Sequence, residues 1–558
     1  MLILNIPGIG VSLTQLPPLE RRDESSLDEG HDEVSPWGLP DADRRCRRFG
    51  PVPRNFPEPQ ASYCFQIYMI DQVLERGPSA KETSAIYHRL TFFRDLLREM
   101  DCSGLTLGSA PLAFGSAVNA LDASDLRASL SPSDVRNIFL AFEAETKPQS
   151  LCDLWTIIRQ GMLTATSIKW GQGGPTHTLD FRRPDVREEA RAATLAFGKT
   201  NESLARSALV ACRLKRDVYA KTPDGLLGGE EEEMFIYDED GPFEEPCFTC
   251  GLLVDLRTGM IGASMDVLVC DRNRDGLLDP HPLETLEIYE IKCRAKYLFV
   301  PGERSETEQC YERLLRNRCM GSLRRFLLSI QNPCVEYIKP DDWPTTKEAL
   351  LTSHEDWKVL YNPRRVRSNC FDARHLELNR AGRSSVWLFS EPDLETLEIR
   401  PLTWYNGKLS LDVPLFANPR HPNFKQIFVQ AYVLSSYYDA TRIAPHLVTF
   451  IGRYRRPDEI GRRFTIVPPE TPKRPEPADA YNIADGLFDP HFNSRQIVTT
   501  DHTIPVLLII TPISIDPSLF CLLEQTGRKA FSAAIDSLWD SVARPSPNRS
   551  TVADGTSS

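Results

Sequence analysis

No run of about 18 apolar residues occurs in the 558-residue chain, so no segment is expected to cross a bilayer as a helix. The opening MLILNIPGIGV carries no basic residue, which argues against a secretory signal. Fourteen cysteines are scattered without framework spacing, as suits a reducing compartment. Cys247 and Cys250 form a lone C-x-x-C with no second pair at zinc-ligand spacing. The stretch DRNRDG, Asp271–Gly276, opens like a calcium loop, but its twelfth position is Pro282 rather than Glu, so it reads as a turn between strands. There is no G-x-S-x-G, no phosphate-cradling G-x-x-x-x-G-K-[ST] and no H-E-x-x-H, which removes support for serine hydrolases, NTPases and zincins. Internal repeats are missing as well.

Positive charge is also short: 65 Lys and Arg face 77 Asp and Glu, for a net charge of −12. A chain of that charge repels a phosphate backbone overall. The deficit is concentrated in one place. Gly228–Pro246, GGEEEEMFIYDEDGPFEEP, holds nine acids and no Lys or Arg, and without it the net charge falls to −3. We read it as a solvated acidic insertion. Basic clusters recur at RLLRNRCMGSLRRF, NPRRVRSN and GRYRRPDEIGRRF, and suit a phosphate-tracking groove. Arg44–Arg48, RRCRR, is compatible with nuclear import.

Length and a 41% hydrophobic content allow a large core. Residues 1–60, rich in charge and Pro, and the polar tail 541–558 are expected to be disordered. Between them a single large unit, 61–540, is expected. It comprises a helical region (61–145), a catalytic core (146–340) carrying the insertion 228–246, and a C-terminal part (341–540) that completes a cleft. In the helical region Ser131-Pro132-Ser133-Asp134 predicts a cap, with Val135, Ile138, Phe139 and Phe142 on the buried face behind it.

The chemistry is concentrated in LETLEIYEIKCRAKY, Leu283–Tyr297. Period two places Leu286, Ile288, Glu290, Lys292 and Arg294 on one strand face and Tyr289, Ile291, Cys293 and Ala295 on the other. Two charges amid apolar neighbours suit a cleft floor better than open solvent or plain core. Upstream, Cys250–Cys270 reads as a hairpin turning at Arg257-Thr258-Gly259. In its second arm Ile261, Ala263, Met265, Val267 and Val269 share one face, and Gly262, Ser264, Asp266 and Leu268 the other. Asp266 on one strand and Glu290-x-Lys292 on a following one bring two carboxylates and an ammonium together. Hard divalent cations such as Mg²⁺ take one or two such carboxylates plus water and phosphate, so the set reads as Mg²⁺-dependent phosphodiester hydrolysis.

The D…ExK pattern resembles the PD-(D/E)XK nucleases. The phrases GASMD and YEIKCRAKY further resemble the herpesvirus alkaline nucleases, in the lambda-exonuclease-like branch of that superfamily. Met265 stands where the superfamily pattern has Pro. The resemblance implies an α/β fold, with a mixed central sheet flanked by helices and a helical N-terminal region. It also implies roles. DLWTIIRQGMLTATSIKWG resembles the segment that grips the DNA backbone and 5′-phosphate, through Arg159, Thr164 and Thr166. FGKTNESLAR resembles the segment whose acid, here Glu202, joins the metal cluster. In HPNFKQIFVQAYVLSSYYD the apolar stripe Phe424, Ile427, Phe428, Ala431, Leu434 and Tyr438 predicts a helix, and Gln426 and Gln430 share another flank. The family has a helix of this kind beside its active site, with a Gln near the metal-bound phosphate.

The resemblance implies a catalytic set of Glu202, Asp266, Glu290 and Lys292. Asp266, Glu290 and Glu202 would bind Mg²⁺, for which Mn²⁺ can substitute, and Lys292 would orient or deprotonate the attacking water. Burial and nearby metal would lower the Lys292 pKa toward a mildly alkaline range. The implied activity is 5′-to-3′ exonuclease plus endonuclease on branched or concatemeric viral DNA, with the viral single-stranded DNA-binding and annealing protein as partner. The implied location is the host nucleus, with the cytoplasm as a second place. Two alternatives stand beside it: an RNase degrading host messenger RNA, and a non-enzymatic recombination scaffold.

Overall fold

The structure is a computed structural model. It describes residues 65–99, 114–179, 198–213, 250–352, 370–467 and 503–543, apart from short gaps within these spans. The chain divides into Met1–Leu39 and Pro40–Ser558, and all described residues lie in the second unit. Residues 1–60, the insertion 228–246, the tail from 544, Cys247 and the cluster NPRRVRSN lie outside the described residues.

The N-terminal region is helical as expected: α1 (Phe65–Arg76), α2 (Ala85–Glu99), α3 (Ala123–Ser129) and α4 (Pro132–Glu145). Ser131 caps α4 through Asp134, Pro132 occupies the first turn, and Val135, Ile138, Phe139 and Phe142 are buried. A hydroxyl cap of this kind contributes about 1 kcal/mol. After α4 come α5 (Asp153–Arg159), α6 (Glu306–Asn317), α7 (Met320–Ser329), α8 (Cys370–Asn379), α9 (Pro422–Leu434) and α10 (Phe520–Ala543). Among the described residues no helix is long and apolar enough to cross a membrane.

The central sheet is mixed. Its strands are β1 (Val267–Val269), β2 (Leu286–Cys293), β3 (Ser384–Phe389), β4 (Pro401–Leu402), β5 (Ser410–Val413), β6 (Ile443–Arg453) and β7 (Ile504–Pro512). They run in the order β4-β3-β7-β6-β2-β1, with β5 also on β3. Only β6 and β2 pair in parallel; the other pairs are antiparallel. Alternation splits each strand between two cores. Leu286 and Ile288 of β2, Leu447 and Ile451 of β6, and Leu507 and Ile509 of β7 face the core shared with α9. Tyr289, Ile291, Val448, Phe450, Leu508 and Ile510 face a second core closed by Leu204, Ala205, Ala208 and Leu209. Burying a large aliphatic side chain contributes about 1.5–3 kcal/mol, so both faces fix the β2 register.

Three expectations change. The hairpin's second arm is not one strand: Gly262–Ala263 pairs back on Leu253–Val254, and β1 starts only at Val267. The bend between them resets the alternation, so Ile261, Ala263 and Met265 pack in the α9-side core while Val267 lies in the other. The basic cluster GRYRRPDEIGRRF is not a plain phosphate-tracking surface. Arg453 is fully buried in ion pairs with Glu391 and Glu459. The helix predicted through Tyr438 ends at Leu434. Arg272 and Leu278 bridge in antiparallel fashion, while Asp271 and residues 273–276 of the calcium-like stretch lie outside the described residues.

Candidate active site

Glu290 sits in mid-strand on β2, facing α9, and is only 1% exposed. On one side β2 pairs with β6, so that Glu290 lies beside Leu447 and Lys292 beside Thr449. On the other side the β1 register pairs Val267 with Tyr289, and one step further brings Asp266 opposite Glu290. The strand has ended there, and the Asp266 carboxylate itself accepts the Ile291 N–H at 2.7 Å. Asp266 thereby stands in for a missing ladder carbonyl, which fixes its side chain against the ExK strand.

The helix α9 supplies the roof. Its cap is His421, followed by Pro422, and its flank delivers Gln426 to Glu290 Oε1 and Gln430 to Glu290 Oε2, each at 2.5 Å. Lys292 Nζ donates to the same Oε1. Burial first, and then the charge of Asp266, push the Glu290 carboxyl up to about 7 against the pull of Lys292. For Lys292 the outcome differs from the expectation of a lowered value. Burial alone would lower it, but Glu290, Asp266 and Glu202 outweigh burial and hold the ammonium above its ordinary range.

The bend Ser264–Asp266 is held carbonyl by carbonyl. Ser264 O accepts from Gln430 at 3.0 Å, Met265 O from Gln149 at 2.9 Å, and Asp266 O from Arg206 at 3.1 Å. Arg206 also pairs with Glu202 at 2.8 Å, and Glu202 acts on Lys292 through its charge. Glu202 therefore stands beside the site, linked to Asp266 through Arg206. Among the described residues no three His, Cys, Asp or Glu gather as a metal cluster.

Arg159 ends α5 and lies over the Trp155 ring, 4.3 Å from its centroid. The Trp155 indole donates to Ser264 Oγ at 2.9 Å, so this segment meets the Asp266 bend directly. Thr164 and Thr166 hydroxyls lie 3.1 Å apart in the following turn. Leu163 bridges in parallel to Ile261, which ties that turn to the arm leading to Asp266. The structure thus joins the expected end-binding segment, the glutamine helix and the D…ExK pair.

Sequence reasoning missed Gln149, Trp155 and Arg206. Trp155 at i, i+4 from Arg159 was a readable signal, whereas Gln149 acts on backbone carbonyls that leave no sequence trace. It missed Thr449 too. Its hydroxyl is buried, without a hydrogen-bond partner among the described residues, on the β6 position paired with Lys292.

Residues 51–550 match the family model described as viral alkaline exonuclease. The chain belongs to this family. It is 41% identical over 476 residues to the alkaline nuclease of equine herpesvirus 1 (strain Ab4p), covering 83% of this chain and 81% of that one. Solved structures agree in fold. A SOX–DNA complex aligns with a TM-score of 0.59 at 18% identity, over 89% of this chain and 93% of that one. A KSHV SOX–RNA complex aligns at 0.54 and 18%, over 87% and 93%. As a viral alkaline exonuclease, the chain is a hydrolase of phosphodiester bonds.

The donor set fits a divalent cation. Two hard carboxylates, Asp266 and Glu290, face each other closely enough that one raises the pKa of the other. A cation shared between them would relieve that repulsion, and two carboxylates are what Mg²⁺ takes when water and phosphate complete its shell.

Proposed function

We propose that the chain is a Mg²⁺-dependent deoxyribonuclease with a PD-(D/E)XK core, acting as a 5′-to-3′ exonuclease and as an endonuclease on viral DNA. The observation that carries this reading is the pairing of Asp266 with Glu290-x-Lys292 at the meeting of β1 and β2. Asp266 and Glu290 would hold the metal, with Glu202 adjoining. When bound, the ion supplies charge that polarises the scissile phosphate and neutralises the leaving oxygen.

The protein's own residues set the stage. Gln426 and Gln430 hold both Glu290 oxygens from α9, so the carboxylate is fixed before substrate arrives. Lys292, whose Nζ donates to Glu290, orients the attacking water and stabilises negative charge developing on the phosphate. Arg159, with Thr164 and Thr166, grips the 5′-phosphate and so places the next bond in the site. Membership of the viral alkaline exonuclease family supports a nucleic-acid substrate, which we take to be DNA. Branched or concatemeric viral DNA, the host nucleus and the annealing protein complete the proposal.

The test is cleavage of 5′-phosphorylated duplex, single-stranded DNA and RNA by purified protein with Mg²⁺, alongside Asp266→Asn. Loss of all cleavage in the variant supports the site. Rates for Asp266→Asn close to the parent's would refute it, and faster cleavage of RNA than of duplex would move the substrate to RNA.

A further inference from the structure

Arg89 of α2 is fully buried, and its guanidinium hydrogen bonds end on backbone carbonyls. Its Nε donates to Gly259 O at 2.8 Å, Nη1 to Ile158 O at 3.3 Å and Nη2 to Gly161 O at 3.3 Å. The guanidinium lies on the Phe65 ring, 3.9 Å from its centroid. Two of the three acceptors are glycines with φ of +69°. The Gly259 position is also closed to a side chain, because a Cβ would fall 2.8 Å from the Ile86 Cα of α2. A cation this deep normally has a carboxylate bonded to it. Here the balancing acid is Asp255, which acts through its charge and organises the same turn by accepting from Thr258, Met260 and Ile261.

The three carbonyls have a common position in the fold. Ile158 and Gly161 flank Arg159, and Gly259 belongs to the turn that leads into the arm ending at Asp266. The C-terminal end of a helix presents carbonyls with partial negative charge and disfavours an anion. Arg159 is the last residue of α5, so a phosphate that it grips approaches just such an end. Arg89 occupies one carbonyl of that end, Ile158 O, and the Gly161 carbonyl just past it. It also binds them to the hairpin turn, while Leu163 N–H donates to Met260 O at 2.8 Å on the next stretch of chain.

We propose that Arg89 is a positioning residue that sets 5′-phosphate recognition, by neutralising the carbonyls around Arg159 and locking the Arg159–Thr166 segment to the turn leading to Asp266. The proposal rests on the reading that Arg159 grips the terminal phosphate. Arg89 touches no substrate and acts through Arg159.

The experiment compares kcat/KM of the full chain with Mg²⁺ on matched duplexes ending in 5′-phosphate or 5′-hydroxyl, with melting temperatures recorded. Arg89→Gln should lower the phosphate-to-hydroxyl ratio on the order of tenfold, through KM for the phosphorylated end. Arg89→Lys should recover part of it. An equal loss on both ends would overturn the proposal, because a purely structural arginine has no reason to tell them apart. If Arg89→Gln does not fold, Arg89→Lys and Gly161→Ala carry the test. The latter strains the same carbonyl and leaves the guanidinium in place, and an unchanged ratio in both overturns the proposal. Arg159→Ala separates the two claims. A ratio insensitive to Arg159→Ala brings down the end-binding reading and Arg89 with it. A ratio erased by Arg159→Ala and untouched by the Arg89 variants brings down Arg89 alone.

Discussion

Two clusters of buried charge lie on this one sheet, and they are built on opposite principles. At the end of β6, Arg453 meets Glu391 and Glu459 while Arg456 meets Glu391, so two guanidinium groups face two carboxylates. Burial works against both kinds of ion there, yet the pairing wins: Arg453 is held above its usual range and Glu459 below its own. In the middle of β2, Asp266, Glu290 and Glu202 share two cations, Lys292 and Arg206. Glu290 is pushed the other way, toward its neutral form. A cluster that serves only the fold closes its own charge balance. Among the described residues the three acids named at β2 outnumber the two cations named with them, and a divalent cation would fit that excess.

Substitution should pull the two clusters apart, and the largest effect is expected at β2. Glu290→Gln keeps size and one of the two oxygens that accept from Gln426 and Gln430, but removes a proposed ligand charge. Cleavage should fall at least about a thousandfold, since several kcal/mol of transition-state stabilisation depend on the ion. Its stability loss, read by thermal melting, should be smaller than that of Arg453→Met. That second variant leaves Glu459 buried without its cation and should cost about 3–5 kcal/mol, with the folded fraction still cleaving near the parent rate. A large stability loss in Glu290→Gln together with residual cleavage would erase the distinction between the clusters.

A third buried group tests whether charge balance or burial alone governs these sites. His375 is fully buried; its Nδ1–H donates to Phe371 O at 2.9 Å and its Nε2 accepts from Asp516 N–H at 3.2 Å. Among the described residues no acid is bonded to it, and burial drives its pKa down to about 4. Above about pH 6.5 both folded and unfolded states are neutral at this site, so it contributes no pH dependence. As pH falls below that, the unfolded chain takes the proton first and stability is lost, up to about 3 kcal/mol by pH 4. His375→Gln should remove that part of the acid loss in melts run from pH 7 to pH 4. An identical acid slope in both proteins would show the imidazole to be protonated in the fold.

How much of this was legible depended on the range of each interaction. The β2 strand and α9 were readable because their periods are local, and both Gln426 and Gln430 arrived where the stripe on α9 placed their flank. The arm before β1 was misread because the bend at Ser264–Asp266 resets the alternation, and its cause lies in side chains far away in sequence, Gln149 and Arg206. Arg453 looked like a surface cation because its partner Glu391 is 62 residues upstream. Arg89 was invisible because carbonyl acceptors carry no residue identity.

The smallest effect is expected at Thr449, and it decides to which side of the comparison that residue belongs. It lies beside Lys292 in the β6–β2 register, 2% exposed, with its hydroxyl making no hydrogen bond among the described residues. A buried hydroxyl without a partner costs about 1–3 kcal/mol, whereas an apolar group of the same shape costs nothing comparable. Core packing alone would have favoured Val here. Thr449→Val should therefore raise stability by about 1 kcal/mol and lower the cleavage rate by a few fold, measured by melting and by initial rates on duplex DNA. Stability and activity moving in opposite directions would place Thr449 with the charge-deficient β2 cluster, as a hydroxyl retained for a substrate or water that completes its hydrogen bonding. A loss of stability would place it instead with the self-balanced structural polar groups typified by Arg453.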